Sequence, residues 1–198
     1  MSIAPKLVTI FGGSGFVGRY VAQRMAKEGW RVRVAVRRPN EALFVKTYGD
    51  VGQVEPILAN IRDEKSTRAA IIGADAVVNC VGILNETSKQ KFTDLQSKGA
   101  SQIAKLATEC GVKTFVHFSA IGADINSHSK YLKSKAEGEE MVKASFKNAV
   151  ILRPSIVFGA EDQFFNRFAT MAKLSPLIPL VGGETKFQPV YVDDIAKA

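Results

Sequence analysis

Three sets of side chains in this sequence have the types and spacing to do chemistry. The first is Gly12-Gly-Ser-Gly-Phe-Val-Gly18, where glycines recur as G-x-x-G-x-x-G. The apolar, β-branched run Leu7–Phe11 stands before it. Residues 16–28 follow, with Val17, Tyr20, Val21 and Met25 near helical spacing. Gly12 suits a tight turn at positive φ. Gly15 has no Cβ, so a pyrophosphate can approach the backbone. Gly18 lets the helix pack closely. The helix N-terminus then offers free N–H groups and a positive dipole end to the anion. A strand before and a helix after are what separate a dinucleotide-binding turn from an ordinary glycine turn.

The second set is the pair Arg37 and Arg38. An acid about 20 residues beyond the glycines binds the ribose 2′-OH in an NAD site. No Asp or Glu occurs over residues 30–40, and the two arginines stand there instead. Arginine's planar fork matches a phosphate, so NADP(H) is expected in preference to NAD(H), with NAD(H) as the alternative. The third set is Tyr131-Leu-Lys-Ser-Lys135, whose tyrosine and lysine share one helix face. An ammonium beside a phenol stabilises the phenolate, so the pair could move the proton that accompanies hydride transfer. Lysine can also hold a nicotinamide ribose.

The elements that must position these groups alternate along the chain. Strands are expected at Leu7–Phe11, Arg31–Val36, Val54–Leu58, Ala76–Asn79 extended to Val81, residues 114–119, and Val150–Leu152. Between them come helices at residues 16–28, 41–48, from an Asp63 cap to about Ile72, 92–110 and 131–146. The 92–110 helix turns Leu95, Ile103, Leu106 and Ala107 inward and stops at Gly111. Alternation of this kind predicts α/β architecture, a doubly wound parallel sheet or Rossmann fold. After Arg153 the texture changes: Pro154, Gly159, Pro176, Pro179 and Pro189 punctuate a stretch with one Phe-rich helix at residues 163–174. Residues 1–153 are therefore expected to form the dinucleotide-binding domain. Residues 154–198 are expected to begin a smaller substrate lobe with a return segment, truncated in mid-element after Val190-Tyr-Val-Asp-Asp-Ile.

With these elements in place, the sequence resembles the extended and atypical short-chain dehydrogenase/reductases, the epimerase/dehydratase group. The residues that carry this are the glycine motif, Asn79-Cys-Val-Gly82, Phe115-Val-His-Phe-Ser119, Tyr131-Leu-Lys-Ser-Lys135, Leu152-Arg-Pro-Ser155 and Tyr191-Val-Asp-Asp194. More narrowly, Tyr131-Leu-Lys-Ser-Lys-Ala-Glu-Gly138 and Arg153-Pro-Ser-Ile-Val-Phe-Gly-Ala-Glu-Asp162 resemble the nucleotide-binding accessory subunits of respiratory complex I and their bacterial relatives. The resemblance implies that Gly12, Ser14, Gly15, Phe16 and Val17 cradle the pyrophosphate and that Arg37 and Arg38 meet the adenosine phosphate. It implies Asn60 near adenine, Cys80 and Gly82 beside the cofactor ribose, and Pro154, Ser155, Ile156 and Val157 along the nicotinamide side. Catalytic roles would fall to Tyr131, Lys135 and Ser119. One departure weakens catalysis: Ile121 stands where active relatives carry a serine or threonine, two residues beyond Ser119. Losing such a donor costs about 10²–10³ in rate.

Composition narrows the partners. A formal charge of +8 could mark a nucleic-acid surface, but the basic residues are scattered and no aromatic–basic motif accompanies them. No apolar stretch approaches a membrane span. The two cysteines and two histidines lack metal-site spacing. Reduced cysteines and a first strand close to residue 1, with no room for a leader, suggest a cytoplasmic protein, peripheral at most to the inner face of a respiratory membrane. Two functions remain. One is a cofactor-binding protein with a mainly structural or cofactor-sensing role beside respiratory-complex or quinone-pathway partners. The alternative is an active NAD(P)-dependent reductase, epimerase or dehydratase on a small carbonyl, quinone or sugar nucleotide.

Overall fold

The computed structural model describes residues 5–174 and 182–198. Pro176 and Pro179 lie outside the described residues. Six strands run parallel in one sheet: β1 (Leu7–Phe11), β2 (Arg31–Val36), β3 (Val54–Leu58), β4 (Ala76–Asn79), β5 (Thr114–Phe118) and β6 (Val150–Leu152). Their spatial order is β3-β2-β1-β4-β5-β6, so the chain reverses direction of travel at β1/β4. That switch point opens a crevice at the carboxyl ends of the strands, the place where such sheets take ligands.

All five residues of β1 are buried, because helices cover both faces. Helices α2 (Glu64–Ile71), α3 (Gly99–Glu109) and α4 (Lys130–Ser145) close one core around Phe11, Ile103, Leu106 and Phe115. Helix α1 (Phe16–Lys27) helps to close the other around Val8, Ile10, Val32 and Val34. Asp63 caps α2 as expected, its carboxylate accepting from the Ser66 N–H. Gly111 ends α3 with φ +72°.

Four details differ from the sequence expectation. Residues Pro39–Tyr48 form a 3-10 helix, entered through a proline and without a side-chain cap. Val81 is not in β4; the Asn79 Oδ1 accepts the Val81 N–H at 3.0 Å and turns the chain out of the strand. The long helix opens with a π-helical stretch, Thr93–Lys98, before α3. Its wide turns bring buried Gln96 and Ser97 against α4, where Gly138 leaves room for the Gln96 carbonyl. Finally, a two-residue strand β7 (Val157–Phe158) pairs in parallel with β8 (Val190–Tyr191) as a separate small sheet. Helix α5 (Phe165–Leu174) lies between them, and α6 (Val192–Lys197) returns to pack on α1. The ring pairs Phe158–Phe165, Phe164–Phe168 and Phe164–Phe187 hold this segment together.

Candidate functional site

The three glycines divide their labour at the end of β1. Gly12 takes φ +73°, and its N–H donates to the Ala35 carbonyl at 3.1 Å. A Cβ there would stand 3.2 Å from the Cys80 carbonyl, so the glycine also lets the ends of β1 and β4 meet. Gly18 packs on the loop itself rather than on the strand: a Cβ would strike the Gly12 oxygen and the Gly13 Cα. Gly15 is different. A Cβ on it would meet only the Gly12 oxygen, at 3.2 Å, and its outer side is free. Gly15 is also the N-cap of α1, which has no side-chain cap and no acid in its first turn. The first N–H groups of that helix thus remain available to an anion.

A cleft of about 680 Å³ opens in front of this loop. It gathers Gly12, Ser14, Gly15, Arg37, Arg38, Asn60, Cys80 and Gly82 from four separate stretches of chain. A cradle with bare backbone at a helix N-terminus and cations at the far end fits a dinucleotide. Phe16 and Val17 sit in the first turn of α1, outside the cleft lining. Pro154, Ser155, Ile156 and Val157 run from β6 to β7 and also lie outside it. The sequence reading missed Glu41, Ile61, Val81, Gln90 and Leu95 in the lining. Glu41 matters most: Arg38 donates to its carboxylate at 3.0 Å, with both side chains about two-thirds or more exposed (75% and 67%). Such a pair is worth about 0–1 kcal/mol and yields readily to a phosphate. An i,i+3 acid on the following helical turn was the available signal. Among the described residues Arg37 makes no ion pair.

Behind the cleft, Lys135 is buried on α4 and its Nζ donates to the Phe118 carbonyl at 3.0 Å. Burial lowers its ammonium to about 8. The Nζ reaches the cleft wall, since a Cβ on Gly82 would lie 3.4 Å from it. Tyr131 sits one turn earlier, edge-on to Phe92, with the Lys135 Nζ 6.0 Å from its ring centre. Its hydroxyl makes no hydrogen bond among the described residues, and burial raises its phenol above the ordinary value. Among the described residues the Lys135 ammonium makes its hydrogen bond to the Phe118 carbonyl and none to the Tyr131 phenol. Ser119 is buried, and its Oγ has no hydrogen-bond partner among the described residues. Burial alone would push the Glu139 carboxyl up; two bonds from Arg153, at 2.8 and 2.6 Å, more than offset this and hold it low. Ile121 is exposed, so the missing hydroxyl leaves an apolar surface there. Burial pushes the Cys80 thiol up to about 12, far from a thiolate at neutral pH.

Under Lys135 lies His117, 1% exposed. Asn79 gives its Oδ1 to Val81, so its amide N faces the His117 Nδ1 at 3.1 Å. The proton of the neutral ring therefore sits on Nε2, which has no partner among the described residues. Burial, with Lys135 adding to it, lowers His117 to about 3. Among the described residues no cluster of three or more metal-ligating side chains forms, and no helix is long and apolar enough to cross a membrane.

With that geometry in view, comparison with known proteins is specific. The model of the "NAD dependent epimerase/dehydratase family" matches residues 8–198. The chain is 38% identical over 200 residues to the NADH dehydrogenase (ubiquinone) 1 alpha subcomplex subunit 9, mitochondrial, of Arabidopsis thaliana, covering 100% of this chain and 50% of that protein. It is 37% identical to the protein of the same name in Mus musculus, covering 99% and 52%. The chain thus spans about half the length of these relatives. The Bordetella bronchiseptica enzyme WbmH, solved in complex with NAD+, superposes with a TM-score of 0.74 at 19% identity, over 98% of this chain and 70% of that one, which supports the fold. These relatives correct the expected cytoplasmic location, since both are named as mitochondrial. Reduced thiols and an early first strand do not tell one reducing compartment from another.

Proposed function

The chain belongs to the NAD dependent epimerase/dehydratase family and is an NAD(P)-binding Rossmann protein; from that premise we propose that it prefers NADP(H) and works mainly as a structural or cofactor-sensing subunit of a respiratory assembly. In this reading Gly12, Ser14, Gly15, Phe16 and Val17 hold the pyrophosphate. Arg37 and Arg38 take the 2′-phosphate, Arg38 leaving Glu41 to do so. Asn60 lies at the adenine end, and Cys80, Gly82 and Lys135 face the nicotinamide ribose, with Pro154 to Val157 beyond. The bound dinucleotide would supply hydride chemistry. Residues 1–153 form the cofactor domain and 154–198 begin a substrate-facing lobe.

The observation that carries the structural role is the missing donor: Ile121 stands exposed in the donor position, while the Tyr131 hydroxyl makes no hydrogen bond among the described residues and burial raises its phenol. The test of the cofactor preference is a fluorescence titration of NADPH and NADH with wild type and Arg37→Ala. NADPH should weaken by about 1–3 kcal/mol, the loss of a charge-assisted bond, with NADH nearly unchanged. Equal weakening of both would remove the argument for NADP(H). A second reading, an active reductase, epimerase or dehydratase, is favoured by one fact only: Tyr131 and the buried Lys135 share a face of α4 at the cleft wall.

A further inference from the structure

We infer that Arg19 is a positioning residue that ties dinucleotide binding to docking of the C-terminal segment; the inference rests on the dinucleotide reading of the cleft. Arg19 follows Gly18 in α1 and is absent from the cleft lining. It nevertheless touches three parts of the molecule. Its NH2 donates to the Ser14 carbonyl at 3.2 Å, its NH1 pairs with Glu161 at 3.4 Å, and its guanidinium lies 5.0 Å from the Phe44 ring centre. Its buried Nε has no partner among the described residues, so the head is held by its other nitrogens and the ring.

The contact with Ser14 acts on the peptide joining Ser14 to Gly15. That one plane is held at both ends: the carbonyl by Arg19, the N–H by the Gly12 oxygen at 3.0 Å. If the plane flipped, the Ser14 carbonyl would face the Gly12 oxygen, two acceptors would oppose each other, and the turn that leaves the helix N-terminus open to a pyrophosphate would be lost. Arg19 keeps the Ser14 oxygen turned away. Glu161, just beyond β7, in turn holds Arg19 and accepts from the Tyr20 hydroxyl at 2.8 Å. Around this point the C-terminal segment is clamped to the same helix. Arg24 makes two bonds to Asp193, and a Cβ on Gly159 would touch Val192 and Phe16. A residue that stabilises the anion-ready loop only when the lobe is docked couples the two equilibria, and such coupling is reciprocal. Dinucleotide should therefore tighten the lobe. Lysine cannot replace this arginine, because one ammonium cannot bond Ser14 and Glu161 in the planar fork geometry.

The experiment compares wild type, Arg19→Ala, Arg19→Lys and Glu161→Gln, with NADPH and NADH titrations and with trypsin cleavage after Arg167 and Lys173, both exposed. In wild type, saturating NADPH should slow that cleavage. Arg19→Ala should weaken NADPH and NADH alike, about tenfold, because the pyrophosphate is common to both, and should abolish the protection. Arg19→Lys should retain wild-type cleavage without nucleotide yet keep most of the affinity loss, a split that a simple packing defect would not produce. Glu161→Gln should speed cleavage and reduce affinity less. If Arg19→Ala does not fold, the Lys and Gln variants decide. Wild-type affinity in Arg19→Lys, or nucleotide protection undiminished in Glu161→Gln, overturns the coupling while leaving the cofactor reading intact. Failure of wild type to bind either dinucleotide overturns both.

Discussion

At the scale of single residues, the tyrosine and the lysine of the third set stand in different states. Lys135 keeps the position that a cofactor-facing lysine needs, but the Tyr131 hydroxyl and the buried Ser119 Oγ lack bonded partners among the described residues. The two functional readings make opposite predictions here. An enzyme should show basal NADPH oxidation that falls with Tyr131→Phe and rises with Ile121→Ser, which restores a donor worth up to a few kcal/mol at a transition state. The structural reading expects no turnover from any of these variants in an assay with quinones and small carbonyls, and NADPH binding largely kept in Tyr131→Phe. Substrate-dependent oxidation by wild type, lost on Tyr131→Phe, would reverse the assignment.

At the scale of elements, the glycine loop separates binding from folding. Gly15→Val should leave the thermal midpoint within a few degrees and abolish dinucleotide binding by calorimetry, because the new side chain enters the cleft and not the core. Gly18→Ala should do the reverse, lowering stability by about 1–3 kcal/mol through overpacking against Gly12 and Gly13. If Gly15→Val binds at full strength, the loop is only a turn. The strand–glycine–helix unit was legible in the sequence because its turn and its helix start are set by neighbouring residues, Gly15 bonding Gly12 and Gly18 packing on Gly12 and Gly13. So were β1 to β6, whose apolar runs end at glycine or polar residues. The 3-10 character of Pro39–Tyr48 and the π-helical opening of α3 were not legible: side-chain periodicity does not distinguish i+3 or i+5 bonding from i+4 over so few residues. The Arg38–Glu41 pair was not legible because Glu41 lies one residue beyond the acid-free stretch 30–40 and meets Arg38 only through the helical turn that follows β2. The pairing of Glu139 with Arg153 depends on how α4 packs beside the end of β6, which no spacing records.

At the scale of the whole molecule, a buried histidine on β5, one strand in from the edge of the sheet, sets a pH limit. The unfolded chain takes up a proton on His117 near pH 6.5, while the folded protein resists until about 3. Because the unfolded state binds more protons in that window, the contribution is full above about pH 6.5 and is lost as pH falls toward 3. His117→Gln, which can still accept from Asn79, should flatten the fall of the urea midpoint between pH 6.5 and 4; an unchanged slope would show that the ring is already charged or exposed. The pairing of β7 with β8 has its own consequence in time. Val157 leaves the ribosome about 30 residues ahead of its partner Val190, an interval of about 2–6 s at ordinary rates of elongation. The six-stranded sheet can close during translation, but the small sheet and its phenylalanines must wait. For those seconds the nascent chain presents a finished domain with an unpaired strand and bare aromatic rings, which is the form that a ribosome-associated chaperone would meet.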